Sequence, residues 1–124
     1  MKSRKREHAL ATIDKNSLLG KSAVIEFPES IAKVHFSQDR TLFWHVTDKH
    51  KTVTKGEDRF SYLQISDHLH LLNWLEKTGF TVTHEINTQT GITHAMWTRN
   101  DPGGEIKRSA AAVKGRFRFV ESIV

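Results

Sequence analysis

From Leu18 onward the chain is a succession of short runs in which apolar and polar positions alternate: AVIEF, IAKVHF, TLFWHV, RFSYLQI, LHLLNWLE, FTVTHEI and ITHAMW. Each is rich in β-branched or aromatic residues, which suit a pleated, half-buried surface. Turn-forming residues separate them, at Pro28-Glu29-Ser30, Ser37-Gln38-Asp39, Lys55-Gly56-Glu57-Asp58, Ser66-Asp67, Lys77-Thr78-Gly79 and Thr88-Gln89-Thr90-Gly91. A run roughly every ten residues, punctuated in this way, predicts an up-and-down antiparallel sheet. Connections this short cannot hold a parallel crossover. The last segment, EIKRSAAAVKGRFRFVESI, alternates well over Arg116–Val120, whereas its SAAAVK stretch is compatible with a helix. The pattern therefore predicts an all-β fold, about eight strands closing into a small barrel. Residues 1–17 carry no apolar periodicity and read as a basic lead-in, mobile or forming a short N-terminal helix, ahead of one domain over residues 18–124.

The run HLHLLNWLEKTGFTVTHEI, His68 to Ile86, needs a decision between helix and strand. As a helix, Leu71, Leu72 and Leu75 share a stripe, but the run is short and lies within a series of β-runs. As a strand, His70, Leu72, Trp74 and Glu76 face one way and Leu69, Leu71, Asn73 and Leu75 the other. The next run alternates as Phe80, Val82, His84 and Ile86 against Thr81, Thr83 and Glu85. Lys77-Thr78-Gly79 then joins two strands as a hairpin, with Gly79 free to take positive φ. Both faces of the first strand are apolar, so one lines the barrel and the other, with Leu69, Leu71 and Leu75, needs a cover. A terminal segment or a second subunit could supply it, and a homodimer through these leucines is expected.

Length and composition narrow the function classes. The 124 residues suffice for one domain, and no apolar run approaches a membrane span. The basic N-terminus lacks the apolar stretch of a secretory signal. Cysteine is absent, which excludes disulfides and thiolate metal sites and fits a cytoplasmic protein. Nineteen Lys and Arg against fourteen Asp and Glu leave +5, concentrated in KSRKR and KRSAAAVKGRFRF near the two ends. Such an excess suits an anionic partner. The aromatic residues, however, mostly share strand faces with aliphatic rather than basic residues, which favours an enclosed interior over a nucleic-acid-binding face.

LHLLNWLEKTGFTVTHEIN resembles the W-x-E-x-x-G hairpin of the bacterial phenolic acid decarboxylases and of the related MoaF-like proteins, both small calycin-type, lipocalin-like barrels. Trp74, Glu76, Gly79 and Val82 carry the match. LLGKSAVIEF is similar to the opening strand of these families and VHFSQDRTLFWHV to their second hairpin, so the resemblance spans roughly residues 18–100. For the decarboxylases it implies a cofactor-free site with two tyrosines, an arginine and the W-x-E glutamate. Here the glutamate is Glu76, but the tyrosine positions fall on Ile25 and Phe27. The arginine position falls near Val53, with Lys51, Lys55 and Arg59 the nearest basic residues. A fold need not keep an activity whose side chains it lacks. The resemblance therefore points to the MoaF-like branch and implies a barrel with a pocket more than a reaction.

The strand parities place Ile25, Phe27, Trp44, His70, Trp74, Glu76 and His84 inside the barrel. An apolar wall with a few polar groups is the usual form of a small-molecule site. Glu76, the candidate catalytic residue, would have its pKa raised by burial and could act as proton donor or acceptor. Trp44 and Trp74 could stack on an aromatic ligand. Tyr62 offers the only phenol. His68-Leu69-His70 hints at a metal, but about six residues of extended strand put Glu76 roughly 20 Å from His70, too far for one ion. No metal or other cofactor is expected. The sequence thus predicts a barrel that binds a small apolar or aromatic molecule, carboxylates included. The alternatives are a cofactor-free lyase using Glu76 on an aromatic acid and a basic nucleic-acid-binding barrel.

Overall fold

A computed structural model describes residues 15–100 and 108–123. Eight strands follow one another: β1 (Lys21–Phe27), β2 (Ser30–Phe36), β3 (Thr41–Asp48), β4 (Val53–Gln64), β5 (Leu69–Leu75), β6 (Phe80–Asn87), β7 (Ile92–Asn100) and β8 (Arg108–Val120). Each pairs antiparallel with the next, and β8 pairs with β1, so the sheet closes into an up-and-down barrel with no free edge. The expected lead-in helix falls mostly on residues 1–14, outside the described residues; Lys15 and Asn16 form a turn.

SAAAVK lies within β8, not in a helix. Closure explains this. Without β8, the edges of β7 and β1 would each present a row of unpaired backbone groups. The small residues also fit their partners, since Ala111 lies opposite Trp97 and Ala112 opposite Met96.

A second correction concerns Lys55-Gly56-Glu57-Asp58, which is not a turn. β4 runs straight through it, pairing with β3 from Arg59 opposite Thr41 to Val53 opposite Thr47. The chain reverses earlier, at Asp48–Thr52. There the Asp48 carboxylate accepts hydrogen bonds from the backbone N–H groups of His50 (2.8 Å) and Thr52 (2.9 Å). The expected Lys77-Thr78-Gly79 hairpin is present, with Gly79 at φ +100° and its N–H bonded to the Glu76 carbonyl at 2.8 Å.

The barrel centre is packed with side chains. Ile25, Phe36, Leu42, Leu72 and Ile86 are each at most 2% exposed. At the end holding the β2–β3, β4–β5 and β6–β7 turns, Leu18 inserts into the same core. Its backbone N–H bonds the Tyr62 hydroxyl at 3.1 Å, which closes that end. No helix among the described residues is long and apolar enough to cross a membrane.

Candidate functional site

The opposite end of the barrel gathers the chemistry. Phe60 on β4 lies opposite Trp74 on β5, so two residues further toward this end Asp58 and Glu76 come side by side. Each carboxylate is fixed by an indole. Trp74 Nε1 donates to Glu76 Oε2 at 3.1 Å, and Trp44 Nε1 donates to Asp58 Oδ2 at 2.9 Å. Trp44 reaches Asp58 because it lies opposite Gly56; a Cβ there would meet its ring at 2.7 Å. Gly56 is thus a packing requirement inside a strand, which is why its turn-like sequence context misleads.

Asp58 is buried and Glu76 half-buried. Burial pushes the Glu76 carboxyl above its ordinary pKa. The neighbouring Asp58 charge pushes the same way, while hydrogen bonds from Trp74 and Thr78 oppose it. Among the described residues, the ion pairs within 4 Å are Lys49–Glu29 and His94–Glu85, so neither mouth carboxylate has a cationic partner at that distance.

His84 lies directly behind. Its ring meets Trp74 edge-on at 4.9 Å between centroids and Phe27 at 6.0 Å. Burial lowers its pKa from 6.5 to about 4, so it is a neutral imidazole at neutral pH. Phe27 reaches across because β8 offers Gly115, whose missing Cβ would stand 2.7 Å from the phenyl ring. Trp74, Glu76, His84 and Phe27 therefore form one connected group, which Trp44 joins through Asp58.

The remaining candidates lie elsewhere. Tyr62 and His70 sit at the closed end, with the Tyr62 hydroxyl 2.8 Å from His70 Nδ1 and the two rings stacked at 5.8 Å. The Arg40 guanidinium lies over the outer part of this cluster, 5.5 Å from the Tyr62 ring. Ile25 is fully buried in the core. His68 Nδ1 lies 3.2 Å from Thr88 Oγ1, and no group of three His, Asp or Glu side chains placed to hold a metal occurs among the described residues.

Asp58 is the residue that sequence reasoning missed. Counting back along β4 from Gln64, Tyr62 and Phe60 puts Asp58 on the inward face, but the reading of 55–58 as a turn broke that count.

The model of the MoaF-like family matches residues 19–114. The chain belongs to the MoaF-like family. Among solved structures, it shares its fold with a protein from Burkholderia vietnamiensis described as a "putative beta-lactamase", with TM-score 0.70 and 17% identity over 83% of this chain and 95% of that one. At that identity the likeness concerns the fold alone. No curated protein matches the chain. The family match covers Trp74, Glu76, Gly79 and Val82, the residues of the W-x-E-x-x-G hairpin.

Proposed function

We propose that this MoaF-like barrel binds a small, flat organic molecule at the mouth formed by Trp44, Asp58, Trp74 and Glu76, with Glu76 exchanging a proton with it. The observation that carries the reading is the pair of indole-held carboxylates, Trp44–Asp58 and Trp74–Glu76, without a cation within ion-pair distance among the described residues. Aromatic faces supply area and stacking, and the carboxylates supply orientation. The filled centre supports a ligand seated at the mouth, not one swallowed by the barrel. Two carboxylates also favour an uncharged or amine-bearing ligand over a carboxylate, because like charges placed together disfavour one another.

The test is a tryptophan-fluorescence titration with an aromatic amine, its neutral analogue and a hydroxycinnamic acid of the same size. Native mass spectrometry of freshly purified protein complements it. Quenching by the first two, weakened in Glu76→Gln, is the expected result. Protein that carries no co-purified ligand and responds to none of the three would sink the proposal. A lyase acting on aromatic acids is the weaker reading. Phe27 and the buried Ile25 stand where such a site needs phenol hydroxyls, so incubation with a hydroxycinnamic acid is expected to release no carbon dioxide.

A further inference from the structure

The +5 net charge is unevenly displayed on the barrel exterior. In the pairing register, Arg118 on β8 lies opposite Val24 on β1, Val24 opposite Lys33 on β2, Lys33 opposite His45 on β3, and His45 opposite Lys55 on β4. All five alternate with inward-facing neighbours such as Ile25, Val34, Trp44, Gly56 and Phe117, so all five face outward. The result is a transverse row of four basic or imidazole side chains interrupted once, by Val24, which is buried at 6% exposure, so that Arg118 stands on one side of it and Lys33, His45 and Lys55 on the other. With about 4.8 Å between neighbouring strands, it spans roughly 19 Å along the barrel wall. Arg116 and Lys114 extend it along β8, and Lys33, Lys55, Lys114, Arg116 and Arg118 are all exposed. Glu26 and Glu57 are the acidic residues on the same face of β8, β1, β2, β3 and residues 53–57 of β4. The ion pairs within 4 Å among the described residues, Lys49–Glu29 and His94–Glu85, use no cation of the row.

An aromatic platform accompanies the charge. Phe43, two residues before His45 on the same outward face, is 39% exposed, and its ring lies 6.3 Å from that of His35. Beside it an open groove of about 620 Å³ runs along β3 and β4, lined by Phe43, Trp44, His45, Lys55, Glu57 and Lys77 among others. A row of cations that tracks a backbone, next to an exposed ring on which a base can stack, is how sequence-tolerant single-strand binding is built. Alternation along one strand hides the arrangement, because the basic residues come together only across strands.

We infer that the outer face of β8-β1-β2-β3-β4 docks single-stranded nucleic acid, with Arg118, Lys33 and Lys55 holding phosphates and Phe43 stacking on a base. The groove shares Trp44 with the mouth group, but none of these four residues belongs to that group, so substitutions here leave the mouth side chains in place.

Fluorescence anisotropy of the full chain with a labelled 15-residue oligothymidylate tests it. Binding is expected at 20 mM salt, with log K falling against log salt at a slope of about −2 to −3, since each single-strand phosphate contact contributes about −0.7. The triple variant Lys33→Gln, Lys55→Gln, Arg118→Gln should lose more than tenfold in affinity at low salt and about 2 in slope. The charge-preserving Lys33→Arg, Lys55→Arg, Arg118→Lys should retain binding. Phe43→Ala should lose about tenfold with the slope unchanged. Three outcomes overturn the inference: no binding at 20 mM salt, undiminished binding by the triple-Gln variant with loss only when Lys2, Arg4, Lys5 and Arg6 are replaced, or row-dependent binding to phosphatidylserine vesicles with none to the oligonucleotide. Circular dichroism of each variant establishes that the barrel is intact.

Discussion

At the scale of single residues, two buried polar groups make separable predictions. His84 has a pKa lowered from 6.5 to about 4 by burial. The unfolded chain therefore binds more protons than the folded one between these values, and stability falls as pH drops through that window. At pH 4.5 the loss relative to pH 7 amounts to about 2–3 kcal/mol. Urea unfolding at the two pH values should show it, and His84→Leu should remove most of the difference. Thr93 is fully buried, and its hydroxyl has no hydrogen-bond partner among the described residues. Thr93→Val keeps the shape and removes the desolvated hydroxyl, so it should raise stability by about 1 kcal/mol. A loss instead would mean that the hydroxyl is bonded in solution. Neither feature is legible in the sequence. The inward parity of His84 follows from the alternation of its strand. The aromatic enclosure that keeps it neutral comes from Phe27 and Trp74 on other strands.

At the scale of elements, the alternation of the seven runs located strands, and for AVIEF, IAKVHF, TLFWHV, LHLLNWLE and FTVTHEI their inward faces as well, because period-two patterning is a local property. Two stretches escaped it for the same physical reason. Lys55-Gly56-Glu57-Asp58 and SAAAVK have turn-like or helix-like composition, yet pairing along their whole length makes them strands. Tertiary context overrides weak propensities. The glycine within the first stretch and the one directly after the second are placed by their partners: Gly56 beneath the Trp44 ring and Gly115 beneath Phe27. Substitution separates a mouth contact from a core contact. Gly56→Ala should push the half-buried Trp44 ring outward, breaking its bond to Asp58, and cost about 1 kcal/mol. Gly115→Ala, with Ile25 Cγ2 also at 3.0 Å, should cost about 2–3 kcal/mol. Tryptophan emission should shift in the first variant more than in the second. The reverse order of stability losses would place Trp44, not Phe27, in the rigid part of the barrel.

At the scale of the whole molecule, regular spacing of runs and turns made the barrel legible, but not what lies on its outside. The leucine face of β5 illustrates the gap. Leu69 and Leu71 are half-buried already in the single chain, whereas Leu75 is 66% exposed. Pairing brings Leu63 opposite Leu71, with Leu63 59% exposed, and Met96 on β7 adds a further 55%-exposed side chain. Between them runs a groove of about 480 Å³ lined by Leu71, Thr83, Met96 and Ala112. Large apolar side chains exposed on one face, with Asn73, Thr83 and the Glu85–His94 pair between them, suit a mixed association site, and a two-fold contact lets the same patch cover itself. We therefore expect a homodimer through β4 to β7, with Leu63, Leu75 and Met96 at its centre and Leu69 and Leu71 as supporting contacts. Sedimentation equilibrium at tens of micromolar should report twice the chain mass. Leu63→Glu with Leu75→Glu should leave the fold unchanged, because both side chains are solvent-facing in the single chain, while weakening association at least a hundredfold. A wild-type protein that stays monomeric at 100 μM would remove the dimer. So would a double variant that dimerises as before, since it would move the contact to another face of the barrel.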